Sequence, residues 1–224
     1  MNLNNKKIIL FANGELPSPE NLIPHIHDQD ILIAVDGGLN HITHLGLVPD
    51  MIVGDLDSIN EEELDRYQSM GVRVRQYPRE KDQTDLEIAI GLALEERIEP
   101  IWVVAALGNR LDQTLANIFL LTKPQLQNVD IRLVDGVSEV FLITESAEIL
   151  GEPGQRVSLL PLNGSAEGIS TEGLKYPLKK ETLHPDQTRG VSNEMTAHSA
   201  RVTLQQGLLL CIHETIVKVK ESIL

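Results

Sequence analysis

The chain has 224 residues, 42% of them hydrophobic and 23% charged, with a formal net charge of −14 at pH 7. That composition supports one large cored domain or two modest ones, and it argues against a nucleic-acid partner, which calls for a basic patch. The single cysteine, Cys211, excludes an internal disulfide and any multi-cysteine metal site; following Leu208-Leu209-Leu210, it reads as a small buried hydrophobe.

In chain order, the N-terminal stretch MNLNNKKIIL lacks the apolar core of a signal peptide. No apolar run reaches the roughly 18 residues of a membrane span, so the expectation is a cytoplasmic protein with no membrane contact. Apolar runs then recur at 7–13, 31–35, 51–53, 72–77, 101–106 and 129–134. Segments of helical period lie between several of them. The clearest follows Thr84, where Leu86, Ala89, Ile90 and Ala93 repeat at i, i+3, i+4 and i+7. Another starts near Leu111 and carries Leu115, Ile118 and Phe119. Strand and helix in alternation predict an α/β domain, a mostly parallel sheet with helices on both faces.

After about residue 145 the texture changes. Gly151, Pro153, Gly154, Pro161, Gly164, Gly168, Gly173 and Pro177 break the chain into short apolar segments without helical period. This spacing predicts a small C-terminal antiparallel β-domain, a sandwich or partial barrel, over 146–224, following an α/β domain over 1–145.

Ligands of open α/β sheets bind at the carboxyl ends of the strands. Four consecutive predicted ends carry aspartate: Asp36-Gly37-Gly38, Gly54-Asp55-Leu56-Asp57-Ser58, Lys81-Asp82-Gln83-Thr84-Asp85, and Gly108-Asn109-Arg110-Leu111-Asp112-Gln113. Each has a plain structural reading. Asp-Gly-Gly makes a turn, Thr84 with Glu87 makes a capping box, and Asp112 suits a helix cap. Asp55 and Asp57 resist that reading. Two apart in extended chain they point the same way, and like charges so close disfavour ionisation unless a cation sits between them. Carboxylate oxygens suit Mg²⁺, which takes a few of them together with substrate phosphates. Lys81 and Arg110 then suit phosphate, Arg110 in bidentate fashion. Neither a P-loop nor a dinucleotide fingerprint is present.

Other polar features read as structure. His41 and His44 stand three apart with no third ligand in reach, so they are solvated surface residues. Arg73 and Arg75 alternate with Val72 and Val74, as on a partly exposed strand. Glu61-Glu62-Glu63 suits the first turn of a helix. Trp102 falls within a predicted core strand.

The ordered series of these motifs resembles that of the thiamin pyrophosphokinase family. So do Gly173-Leu174-Lys175-Tyr176-Pro177-Leu178 and Arg189-Gly190-Val191-Ser192-Asn193-Glu194, so the likeness spans nearly the whole chain. Asn109 and Gln113 stand where the family commonly has glycine and histidine; Gln113 keeps hydrogen bonding but not proton transfer. Tyr176 is the only Phe, Tyr or Trp after residue 150. The resemblance implies Mg²⁺-dependent transfer of the terminal diphosphate of ATP to the hydroxyl of thiamin, by in-line attack at the β-phosphorus, with AMP released. It implies a homodimer with thiamin held between the α/β domain of one subunit and the β-domain of the other. Carried over by position, Asp55, Asp57, Asp82 and Asp85 are metal ligands. Asp36, Gly37, Gly38, Lys81, Thr84, Arg110 and Asp112 bind ATP, and Ser192 and Asn193 bind thiamin. Asp57 or Asp85 accepts the hydroxyl proton, and Arg110 assists transfer. Alternatives are a pyrophosphokinase for another small alcohol, a non-catalytic thiamin or thiamin diphosphate sensor, and a metal-dependent phosphohydrolase.

Overall fold

A computed structural model describes residues 6–57, 59–108 and 110–215, so Ser58 and Asn109 of the motifs above lie outside the described residues. The chain divides into two compact units, 1–136 and 137–224. The division precedes the change of sequence texture because one more strand, Ser138–Ile143, belongs to the second unit although its apolar run resembles those of the first.

The first unit is built on six parallel strands: β1 (Ile8–Phe11), β2 (Ile31–Val35), β3 (Met51–Gly54), β4 (Arg73–Gln76), β5 (Ile101–Val104) and β6 (Ile131–Val134). They lie in the order β6-β5-β1-β2-β3-β4. Every residue of β1, β2 and β3 is buried, as continuous apolar runs require when helices cover both faces. β4 ends the row, and its Arg73 and Arg75 are accordingly exposed. Four helices connect the strands: α1 (Gly38–His44), α2 (Glu61–Ser69), α3 (Asp85–Glu95) and α4 (Leu111–Leu120). Right-handed crossovers put α1 and α2 on one face and α3 and α4 on the other, because the strand order reverses direction between β4 and β5. Caps fix the helix starts. Asn60 Oδ1 accepts from Glu63 N at 2.8 Å, and Thr84 Oγ1 accepts from Glu87 N at 3.2 Å. Trp102 is partly buried on β5, edge-on to His25 with ring centroids 6.2 Å apart.

The second unit is a sandwich of two antiparallel sheets. One contains β7 (Ser138–Ile143), β9 (Arg156–Pro161), β12 (Asn193–Glu194) and β14 (Leu209–Glu214). The other contains β8 (Ser146–Leu150), β10 (Ala166–Glu172), β11 (Lys179–Leu183) and β13 (Ser199–Thr203). Side chains from both sheets, among them Ile143, Ile149, Val157, Ile169, Val202 and Cys211, form one core. Cys211 is fully buried there.

Gly38 begins α1 where the helix passes the end of β1. A Cβ there would lie 1.8 Å from the carbonyl oxygen of Phe11, so only glycine lets the helix start this close to the sheet edge. Gly38→Ala is expected to lower unfolding stability by at least about 2 kcal/mol, because the backbone it meets cannot rotate away. Urea denaturation of the two proteins measures it.

Candidate active site at the carboxyl edge of the parallel sheet

All five loops that leave the carboxyl ends of β1 to β5 gather along one edge of the sheet, as parallel strands dictate. A cavity of about 560 Å³ opens there. Its walls include Asn13, Gly14 and Glu15 after β1, Asp36 after β2, Lys81, Gln83, Thr84 and Asp85 at the start of α3, and Ala105 to Gly108 with Arg110 after β5. The loops after β1 and β5 are tied by backbone bonds from Gly14 N to Ala105 O (2.7 Å) and from Glu15 N to Leu107 O (3.2 Å). His41 Nε2 donates to Gly14 O at 2.9 Å and secures the same loop.

The first-strand loop was not among the sequence-predicted site residues, since it carries no aspartate. The signal that marks it is Asn13-Gly14 directly after an apolar run, a turn at a fifth strand exit.

The acids are distributed differently from the expectation. Asp55 and Asp57 are not an extended pair. β3 ends at Gly54, Leu56 takes φ 66°, and Asp57 N donates to Asp55 Oδ1 at 3.1 Å. That backbone bond, with Lys81 and Arg79 nearby, holds the Asp55 carboxyl below the ordinary range instead of raising it. Leu56 tolerates its strained backbone because its side chain packs against the core of the first unit. Asp57 is exposed, 3.7 Å from Arg79 Nη1. Asp82 is exposed too, and neither residue lines the cavity.

The crowded carboxylates are Asp36 and Asp85. Asp36 sits at φ 48°, beside Gly54, where a Cβ would come within 2.0 Å of Asp36 Oδ1. Burial, then the charge and direct approach of Asp85, then the charge of Asp55, push Asp36 up to about 6. Oδ1 of Asp36 and Oδ1 of Asp85 are buried without a hydrogen-bond partner. Lys81 Nζ stands 2.9 Å from Asp85 Oδ1 as an ion pair without hydrogen-bond alignment, and donates to Pro78 O at 2.9 Å.

The remaining polar groups surround this centre. Arg110 makes a two-pronged contact with Asp112, Nη2 to Oδ2 at 2.6 Å and Nε to Oδ1 at 3.3 Å. The pairing lowers Asp112 and raises Arg110 from their ordinary values. Asp112 therefore does not cap α4; it is the second helical residue, and Arg110 occupies the cap position without a side-chain bond. Gly37 and Gly38 are buried at the start of α1, outside the cavity lining. Gln113 and Thr114 line it.

Mg²⁺ fits this centre. Among the described residues no three His, Cys, Asp or Glu side chains are already arranged as a metal cage. Yet Asp36 and Asp85 crowd one another, and each has an oxygen buried without a hydrogen-bond partner. Mg²⁺ commonly takes one or two carboxylates and completes its shell with phosphates and water.

In the second unit, Ser192 is exposed at φ 58°. Asn193 is buried, and its amide is fully engaged: Oδ1 accepts from Tyr176 N (3.0 Å) and Glu194 N (2.9 Å), and Nδ2 donates to Tyr176 O (2.8 Å). Asn193 thus holds the loop that presents Tyr176, which is 55% exposed, as is Val191 at 42%.

A parallel sheet with acids, lysine and arginine around a cavity at its carboxyl edge defines an enzyme that handles phosphate esters. Two family models match in succession: the catalytic domain of thiamin pyrophosphokinase over residues 24–133 and its vitamin B1 binding domain over 144–209. The thiamine pyrophosphokinase of Bacillus subtilis is 31% identical over 216 residues, covering 94% of this chain and 99% of its own. Thiamine pyrophosphokinase 1 of Oryza sativa is 29% identical, with 91% and 86% covered. The crystal structure of the Bacillus subtilis protein superposes with a TM-score of 0.82 at 29% identity, over 94% of this chain and all of that one. Yeast thiamin pyrophosphokinase, at 17% identity and a TM-score of 0.75, shares the fold. The chain belongs to the thiamin pyrophosphokinase family.

Because Asp36 is raised in the fold, its neutral form favours folding below the ordinary carboxylate range, and that contribution is lost as pH rises from about 4 through about 6. Asp36→Asn is therefore expected to gain stability relative to the parent between pH 4 and pH 7, by about 1–2 kcal/mol. Denaturation in EDTA across that range checks it; a pH-independent difference contradicts the raised value.

Proposed function

We propose that this chain transfers the diphosphate of ATP to the hydroxyl of thiamin, releasing AMP and thiamin diphosphate, with Mg²⁺ as cofactor. The observation that carries the reading is the meeting of Asp36, Asp85 and Lys81 in one cavity, within a chain whose two halves match the two domains of the family. Asp36, Asp55 and Asp85 would hold the ion, whereas Asp82 is exposed outside the cavity lining. Bound there, Mg²⁺ offsets the negative charge of the triphosphate.

The protein's own groups do the rest. Lys81 Nζ, already at the centre, binds a phosphate oxygen. Arg110 exchanges Asp112 for phosphate, keeping the same two-pronged geometry. The Thr84 hydroxyl, whose oxygen accepts from Glu87 N, has its proton free to donate. Asp85 is committed to Lys81 and faces Asp36, which favours exposed Asp57 as acceptor of the thiamin hydroxyl proton. Positioning and charge stabilisation supply the rate, with no covalent intermediate on the protein. Thiamin is held by Ser192 and by Tyr176, whose ring Asn193 sets in place.

Homodimerisation belongs to the same reading. It is supported by Leu111, Leu115 and Phe119, which repeat along one face of α4 and are 69%, 46% and 50% exposed. A cytoplasmic location goes with the use of ATP. Among the described residues no helix is long and apolar enough to cross a membrane.

The purified protein is expected to release AMP only when ATP, thiamin and Mg²⁺ are all present, as read by chromatography of the nucleotides. Asp85→Asn is expected to lower kcat by at least about 100-fold with an unchanged circular dichroism spectrum. ADP as product, or near-parental turnover by the variant, would overturn the assignment.

A further inference from the structure

Among the described residues, the second unit buries four polar side chains: Gln155, Thr171, Asn193 and His213. Three of them support one loop, the loop that carries Tyr176. Thr171 Oγ1 accepts from Leu178 N at 2.8 Å, and Asn193 binds the Tyr176 backbone as described above. Gln155 acts through its own carbonyl, which accepts from Met195 N at 2.8 Å, and Met195 is bridged to Leu174. The fourth, His213, is the ionisable one, and it is bonded to Gln155.

A row across one sheet relates these groups. Glu139 on β7, His213 on β14, Val157 on β9 and Asn193 on β12 stand opposite one another in register. Partners in a ladder share a face, and Val157 belongs to the sandwich core, so the row points inward.

The bonds of Gln155 decide where hydrogens lie on His213. Gln155 Oε1 accepts from Glu152 N at 2.9 Å and Nε2 donates to Thr215 O, which fixes the orientation of the amide. Oε1 is therefore the atom that His213 Nε2 meets at 2.9 Å, and that ring nitrogen carries a hydrogen. On the other side, Nδ1 stands 2.9 Å from Glu139 Oε1, with the two side chains 1% and 13% exposed. A second proton belongs to that contact, since without it a lone pair would face a carboxylate. Charges on the adjoining elements are matched: Glu152 with His198 (3.0 Å), Arg156 with Glu214 (2.7 Å), and Glu194 with Lys175 (2.9 Å).

With one proton removed, the hydrogen that remains goes to Nδ1, toward the charged acceptor. Nε2 then presents a lone pair to Gln155 Oε1, and Gln155 gives up Glu152 N and Thr215 O to relieve it. The packing leaves no milder adjustment, because even a Cβ on Gly151 would lie 2.1 Å from Gln155 Oε1.

We propose that His213 is a positioning residue for the acceptor side of the reaction: doubly protonated, it locks Gln155 and, through Met195, the loop that carries Tyr176. The carboxylate favours the charged ring in the fold, so the hold is complete at low pH and is lost as pH rises. The inference rests on the reading that Ser192 and Tyr176 hold thiamin, and it adds the group that governs that hold.

Steady-state kinetics and NMR of the full chain across about pH 5–9 test it. The thiamin KM of the parent is expected to rise at least about threefold with pH, while the ATP KM stays within about twofold. His213→Gln, which cannot ionise, is expected to remove this rise. Glu139→Gln is expected to move the rise to lower pH, because the ring proton loses its carboxylate partner. In the parent, the ¹⁵N signals of the His213 ring are expected to show hydrogens on both nitrogens at the acid end. The backbone amides of Leu174, Lys175 and Tyr176 are expected to follow the ring's midpoint, a readout that serves where a variant does not fold. A thiamin KM independent of pH overturns the proposal, as does a parental profile in His213→Gln or a loop that ignores the ring. If the loop follows the ring but thiamin is not turned over, the coupling stands and the thiamin reading falls.

Discussion

The site turns on two carboxylates that the fold forces together. Asp36 leaves β2 and Asp85 opens α3, 49 residues later in the chain, yet the two carboxyls act on each other directly in a half-buried setting with Lys81 alongside. Like charges so close are unfavourable in low dielectric unless a proton or a cation stands between them. Lys81 offsets part of that repulsion, and the proton that burial favours on Asp36 offsets more.

Backbone geometry maintains the crowding against its own repulsion. Gly54 and Gly38 have no side chain where one would strike Asp36 or the end of β1, so strand ends and helix start close on one another. Asp36 and Leu56 hold left-handed backbone conformations, which a rigid surround can sustain. The loops after β1 and β5 are tied by backbone hydrogen bonds, so the opposite wall of the cavity is fixed as well. Preorganisation of this kind spares the enzyme the rearrangement that solvent would need during phosphoryl transfer.

The sandwich unit uses a different device. Asn193 spends its amide on the backbone of Tyr176, so it fixes the loop that carries that exposed ring. Ser192, next to it, keeps an exposed hydroxyl while its own N–H is bonded to Ser158 Oγ.

The strands, the two long helices and the sandwich were legible in the sequence, because burial imposes periodicity on side chains directly. The convergence of aspartates at one sheet edge was legible too, since parallel strands place all their carboxyl ends together. Which acids touch was not. Asp55 and Asp57 read as a pair by spacing, but a turn at Leu56 ends the strand and redirects them. Asp36 reads as a turn residue, yet it meets Asp85 across a crossover that spacing does not encode. The sequence by itself determined the chemistry available and the edge where it gathers, through local pattern and strand direction. Only the tertiary structure decided which charges face each other, because that depends on close approach between segments far apart in the chain.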